Sequence, residues 1–187
     1  MEYRLPASDR QRLLDLAAAG DIGEVAALAF VRNSSYPADW RSGRRGIPLD
    51  RITPPVGIVV LMSVFENEIR NGGYEQFLYN HPSELFYVPG TLRLLGHPEL
   101  ASACLSAAHH VHSTSQLPAW GGERPVLSGP REVFDGYFAT ERAALAEHAE
   151  PVSLCQVDDM FYRVADDLRR AIGDLVTQRI DDYVQPQ

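Results

Sequence analysis

Lysine is missing from this chain of 187 residues, and all 17 of its basic side chains are arginine. Chemistry that depends on a lysine amine is therefore excluded: Schiff-base formation, a phosphate-loop lysine and the strand lysine of protein kinases. Alanine is abundant as well, and the two biases together are typical of a GC-rich genome rather than of a selected function.

Long apolar runs and cysteines are also scarce. No run approaches the ~20 residues that a membrane-spanning helix needs, and the start Met1–Arg4 lacks the pattern of a signal peptide, so we expect a cytoplasmic protein. Cys104 and Cys155 lie in largely apolar surroundings, which favours buried, reduced thiols over a disulfide. A hydrophobic fraction of 45% and a charged fraction of 22% indicate an ordinary globular domain.

The negative charge is concentrated in the last third of the sequence. Residues 1–55 carry a net +1, residues 56–131 a net −2 and residues 132–187 a net −7, which together give the total of −8. A direct nucleic-acid role would fall to the arginine-rich loop 32–51, but this loop lacks a recognisable binding motif. We interpret it as a solvated loop, or as one that pairs with the acidic third.

Helical periodicity dominates the chain, and no alternating strand pattern of useful length occurs. We predict an all-α fold in a single domain, residues 1–187. It is an irregular bundle of seven to eight helices with a long C-terminal helix at 156–184. Residues 1–55 form an N-terminal helical hairpin plus the arginine-rich loop, and residues 56–187 form the core. The other core helices are predicted at 56–70, 74–80, 90–95, 99–112 and 131–148, with a loop at 113–130.

Residues 66–80 join two apolar helical patterns through one asparagine and two glycines. Asn71 and Gly72 suit the left-handed backbone of a helix end, and Gly73 allows a second helix to begin at once, so we predict a sharp corner at 71–73. Tyr74 and Phe77 face the core, whereas Gln76 and Asn80 bond the free backbone groups of the turn and Glu68 reaches the amides of the second helix. The alternative is an anion site built from the backbone donors beside the glycines.

This run resembles the signature of the bacterial DNA-mimic protein family. The match rests on Asn71-Gly72-Gly73-Tyr74 followed by Gln76-Phe77, and the segments Pro89–Gly96 and Val157–Tyr162 extend it over roughly 50–112 and 150–184. A member of that family binds a DNA-binding protein at its DNA-contacting surface. The resemblance therefore implies a protein-binding module that uses no cofactor. The backbone needs of the corner predict a structural role for the signature residues: Glu68, Asn71, Gly72, Gly73, Tyr74, Gln76, Phe77 and Asn80.

Enzyme activity is the weaker alternative. His109, His110 and His112 radiate around one helix instead of sharing a face, so with Cys104 they do not have the spacing of a metal site. Glu66 and Glu68 point about 200° apart on a helix and do not form a carboxylate pair. No nucleophile elbow or dinucleotide fingerprint occurs. We predict no catalytic residue, no metal and no cofactor.

The last helix is amphipathic and acidic. Ala165, Leu168, Ile172 and Leu175 form its apolar stripe, and aspartates occupy the opposite side, with ion pairs predicted at four-residue spacing for Asp159–Arg163 and Asp166–Arg170. With Glu141 from the preceding helix, these acids form the candidate partner-binding face: Asp159, Asp166, Asp167, Asp174, Asp181 and Glu141.

Charge spacing limits what this face does alone. From Asp159 to Asp181 the helix is about 33 Å long at ~1.5 Å per residue, and five aspartates less two arginines leave one net charge per ~11 Å. Duplex DNA carries one charge per ~1.7 Å. Mimicry would need more acids, such as Glu132, Asp135 and Glu147, and a second subunit in a homodimer. The competing function is an immunity- or regulator-type interaction protein that uses shape and apolar contacts.

Overall fold

The computed structural model describes residues 4–31, 54–81, 87–114 and 152–185. Within these ranges the chain forms seven α-helices and no strand, apart from an isolated parallel bridge between Leu5 and Val184. The all-α prediction is therefore confirmed. After a 3₁₀ turn at Ala7–Asp9, the helices are α1 (Arg10–Ala18), α2 (Ile22–Val31), α3 (Pro54–Asn80), α4 (Val88–Leu94), α5 (Pro98–Thr114), α6 (Leu154–Gln178) and α7 (Ile180–Tyr183).

Helices α1 and α2 form a helical hairpin with a tight turn between them. Gly20 ends α1 with a φ of +69°, and the turn is closed by bonds from Gly20 N to Ala17 O (3.0 Å) and from Asp21 N to Leu16 O (3.1 Å). Asp21 then accepts the N–H of Glu24 at 3.1 Å and so caps α2, which its place after the glycine predicts.

The predicted sharp corner lies inside α3. Gly72 (φ −165°, ψ 16°) and Gly73 (φ 79°, ψ 180°) leave the helical conformation there. The prediction of left-handed backbone at Asn71 and Gly72 is wrong, because Gly72 is extended and no described residue other than glycine has a positive φ. Gly73 takes the conformation that a side chain disfavours.

The boundaries of α4 and of the C-terminal helix differ from the prediction. Helix α4 begins at Val88 rather than at residue 90, with its proline in the first turn. The C-terminal helix is not continuous to residue 184: it runs over 154–178, and Arg179 (φ −113°, ψ 25°) separates it from the single turn of α7. The predicted helix 131–148, the loop 32–51 and most of the loop 113–130 lie outside the described residues.

The chain divides into two compact units. The first comprises Met1–Val64 and Ala165–Gln187 and includes α1, α2 and α7. In it, Leu5 donates its N–H to Tyr183 O and accepts from Gln185 N, both at 2.7 Å, and the buried Tyr183 hydroxyl donates to Pro55 O at 2.8 Å. Helix α6 approaches α1 so closely at Gly173 that a Cβ there would lie 2.5 Å from Ala17 O.

The second unit comprises Phe65–Val164. Its centre is aromatic: the Phe65 ring makes edge contacts with Tyr74, Phe77 and Phe161 at centroid distances of 6.2, 5.1 and 5.8 Å. All four residues are fully buried. Such edge-to-face packing stabilises a core beyond the burial of area alone. The single-domain assignment stays a prediction.

None of the described helices is both long and apolar enough to cross a membrane.

Candidate functional site

The signature corner is held by one carboxylate. Glu68, whose side chain is 13% exposed, accepts from Gln76 Nε2 at 2.7 Å and from Asn80 Nδ2 at 2.8 Å, and His81 Nε2 lies 3.3 Å from its other oxygen. The prediction that Gln76 and Asn80 bond backbone groups is wrong, because both reach Glu68 instead. A carboxylate is the stronger acceptor for an amide donor, which accounts for the choice.

The free backbone amide after the corner is satisfied from another helix. Asp158 on α6 accepts the N–H of Tyr74 at 2.7 Å, the role that the sequence pattern assigns to Glu68. Burial raises the pKa of the Asp158 carboxyl, the bond from Tyr74 lowers it, and Asp159 raises it. Gly73 makes room for this contact, because a Cβ there would lie 2.7 Å from Asp158 Oδ2.

The core side of the signature carries buried hydroxyl and thiol groups. The Tyr74 hydroxyl donates to Cys104 O at 2.9 Å, and burial raises the pKa of Tyr74 well above its usual range. Burial also raises the pKa of the Cys104 thiol. Both cysteines are free, as predicted, but Cys155 is exposed, because it lies on the solvent side of the first turn of α6. A buried thiol of raised pKa is unreactive.

The contacts at the signature corner stabilise the turn between the two helical segments of α3, and their geometry does not suggest a reaction. The Glu68 carboxylate is occupied by two amide donors and lies beside His81, whose ring stacks on Phe77 at 5.6 Å. Across the part of the chain that the structure describes, no three His, Cys, Asp or Glu side chains are placed to hold a metal ion. His110 is exposed, and the side chains of His109 and His112 lie outside the described set.

Helix α6 places the predicted acids on its solvent side. Ala165, Leu168, Ile172 and Val176 are buried, so Val176 replaces the expected Leu175 in the stripe. The aspartates of the predicted face are all exposed: Asp159, Asp166, Asp167, Asp174 and, on α7, Asp181. Glu141 lies outside the described residues.

The predicted four-residue ion pairs are wrong. Asp166 pairs with Arg169 at 3.1 Å and Asp167 pairs with Arg170, both at three-residue spacing. The arginines reach back to the preceding turn, where Arg170 Nε also donates to Asp166 O at 3.4 Å. These pairs are exposed and therefore contribute little stability, but they partly neutralise the face.

Two aspartates of the face differ from this pattern. Asp174 makes no ion pair with any residue in the described ranges. Asp181 is bound from the N-terminal segment: Arg10 Nη1 lies 2.7 Å from its carboxylate and Arg4 Nη1 2.9 Å from its carbonyl oxygen, while its side chain stays 84% exposed. Sequence spacing carries no signal for either arginine, because 171 and 177 residues separate the partners.

A model of the DMP19-like protein family matches residues 50–186. The chain belongs to this family. No curated protein and no solved structure matches it. The matched range contains the signature, α6 and the aspartates of the face, and it confirms the family resemblance that the signature indicated. The hairpin of α1 and α2 precedes the match, so the arginines that bind Asp181 are not part of the matched region.

Proposed function

We propose that this protein is a non-catalytic protein-binding module that occupies the DNA-binding surface of a partner protein. The observation that carries the proposal is the exposed row Asp166, Asp167 and Asp174 on the side of α6 opposite its buried stripe. Membership of the DMP19-like family supports it, because a member of the DNA-mimic family binds a DNA-binding protein at its DNA-contacting surface.

The acids of α6 alone fall short of the charge density of DNA. Between Asp166 and Asp174, about 12 Å of helix, three aspartates face two arginines, Arg169 and Arg170, which leaves one net charge. Duplex DNA places about seven charges along that length at one per ~1.7 Å. The proposal therefore includes further acids: Glu132, Asp135, Glu141 and Glu147 from the same third of the sequence, which carries a net −7, and those of a second subunit.

The ion pairs favour a second candidate function. Because Arg169 and Arg170 already partly neutralise Asp166 and Asp167, a partner recognised by shape and apolar contacts would also fit this surface. The two candidates differ in their salt dependence. At ~1 M salt the screening length falls to about 3 Å from about 8 Å at physiological ionic strength, so charge mimicry loses affinity and an apolar interface keeps it.

The test is capture of the partner followed by release with duplex DNA. The immobilised full chain is incubated with lysate of its native host, and the bound protein is eluted with duplex DNA or with salt. We expect a protein that itself binds duplex DNA and that both eluents release. A triple variant, called the neutral face, combines Asp166→Asn, Asp167→Asn and Asp174→Asn and should abolish capture.

A matched variant removes the same three charges elsewhere. It combines exposed carboxylates of α1, α3 and α5: Asp15→Asn, Glu75→Gln and Glu99→Gln. It should capture the partner normally. Equal recovery with the neutral face would contradict the proposal, and so would a partner that duplex DNA does not displace. A partner that resists salt as well would support the second candidate.

A further inference from the structure

Three large apolar side chains are exposed in the described residues: Tyr79, Leu94 and Tyr162. Tyr162 differs from the other two in its position, because it lies on α6, three residues after Asp159 and four before Asp166. It is 51% exposed. Tyrosines that stay exposed and fixed are common anchors of protein interfaces.

The Tyr162 ring is fixed by three neighbours within the second unit. Its hydroxyl donates to Ile69 O at 3.4 Å, its ring meets Phe161 at a centroid distance of 5.5 Å, and the Arg70 guanidinium lies 5.9 Å from the ring centroid. Arg70 is itself held by Glu66 at 2.7 Å. A ring that is already ordered loses little conformational entropy when a partner binds to it.

The carboxylate beside this ring is available to an external cation. Asp159 is exposed and makes no ion pair within the described ranges, in contrast to Asp166 and Asp167. Arg163, its predicted partner, donates Nε to the Asp159 carbonyl oxygen at 3.1 Å and does not pair with the carboxylate. Residues three apart on a helix are surface neighbours, with Cβ atoms about 5–6 Å apart, so Asp159 and Tyr162 occupy neighbouring positions on the helix surface.

Arginine is the side chain that fits this pair of groups. Its planar guanidinium stacks on an aromatic face and also bonds a carboxylate with two parallel N–H groups, whereas a lysine ammonium is a more strongly hydrated point charge. Arginine is also the residue with which DNA-binding proteins most often contact phosphates and guanine. The charge of the neighbouring Arg70 is already compensated by its pair with Glu66.

We propose that Tyr162 and Asp159 form an anchoring site for an arginine of the partner protein. This inference rests on the proposed function, since it names the chemistry that the partner presents. The guanidinium stacks on the exposed part of the Tyr162 ring and bonds the Asp159 carboxylate. The site adds a directional contact to a face whose net charge is low.

The test uses the full chain labelled with 3-fluorotyrosine and two peptides, hexa-arginine and hexalysine. Tyr162→Phe identifies the Tyr162 fluorine signal among those of the 8 tyrosines. We expect hexa-arginine to shift this signal at a lower concentration than hexalysine, by up to about 5-fold, the upper value for an exposed cation–π contact. Asp159→Asn should remove most of that difference, and Glu99→Gln, an equal loss of charge on α5, should preserve it.

The remaining tyrosine signals show whether each variant is folded. Equal response to the two peptides would overturn the anchoring site, and so would a difference that survives Asp159→Asn or a shift confined to other tyrosines. This result is separable from the proposed function, because it needs neither the partner nor Asp166, Asp167 and Asp174. If the neutral face loses capture and the Tyr162 signal does not respond to the peptides, the acidic face is supported and the anchoring site is refuted.

Discussion

Replacing Gly73 by alanine should be the most damaging glycine substitution at the signature corner. Its backbone (φ 79°, ψ 180°) lies in a region that is essentially restricted to glycine, and a side chain forced into it costs about 1–3 kcal/mol. The new Cβ would also meet Asp158 Oδ2 at 2.7 Å and displace the carboxylate that accepts the Tyr74 N–H, a charge-assisted bond of about 1.5–3 kcal/mol. The two effects overlap, and we expect a total loss of about 2–4 kcal/mol.

Two other glycines separate these contributions. Gly96 has a φ of +86°, and a Cβ added there would meet nothing within 4 Å, so Gly96→Ala tests the backbone alone and should cost about 1–2 kcal/mol. Gly72 is extended, and the atoms nearest to its Cβ would belong to the flexible Gln76 side chain, so Gly72→Ala should cost about 0.5–1.5 kcal/mol through the bond from Gln76 to Glu68. The free energies of unfolding come from urea titrations followed by circular dichroism. A Gly73→Ala loss no larger than that of Gly72→Ala would refute the assigned corner.

Three further predictions concern the stability of the folded protein. Gly173→Ala should destabilise the protein by about 1–3 kcal/mol despite the better helix propensity of alanine, because the Cβ would meet the rigid Ala17 carbonyl. Gly23→Ala, in exposed surroundings, should instead stabilise the protein by about 0.5–1 kcal/mol. Thermal melts of both variants measure the two signs. Glu68→Gln should cost about 1–3 kcal/mol, because it removes the charged acceptor of the Gln76 and Asn80 amides, as measured by urea titration. The free energy of unfolding should fall above pH ~8.5 through the buried Cys104, and above pH ~10 through the buried Tyr74 and Tyr183 as well. Burial raises the pKa of each group in the folded state, so the unfolded chain ionises first and the loss reaches up to ~1.4 kcal/mol per pH unit and group. A flat alkaline profile would contradict this.

Much of the fold was predictable because local signals decided it. Gly20 followed by Asp21 specifies both the end of α1 and the cap of α2, and the paired glycines specify the corner in α3. The break at Arg179 had no such signal, since no glycine or proline marks it and the apolar spacing continues through it. There the chain turns so that Tyr183 and Val184 meet Pro55 and Leu5, contacts between residues distant in sequence.

In the candidate site, too, the features with a local sequence signal were predictable and the contacts between distant residues were not. Spacing on α6 identified the exposed aspartates correctly, because helical periodicity alone determines which side faces solvent. It did not identify Asp158 as the acceptor for Tyr74, which is 84 residues away, or Arg10 as the partner of Asp181. The pair of Arg170 was misassigned by one position, because arginine reaches carboxylates three residues away as readily as four. The pair predicted between Asp159 and Arg163 does not form, because Arg163 donates to the Asp159 carbonyl oxygen.

The exposed Cys155 is a single site for thiol labelling. Cys104 is buried, so a thiol reagent reaches one sulfur in the native protein, at the second residue of α6. The absence of lysine leaves amine reagents no side chain to modify. A photo-crosslinker attached through Cys155 would therefore label whatever binds beside the start of α6, at a known position and without any engineered residue.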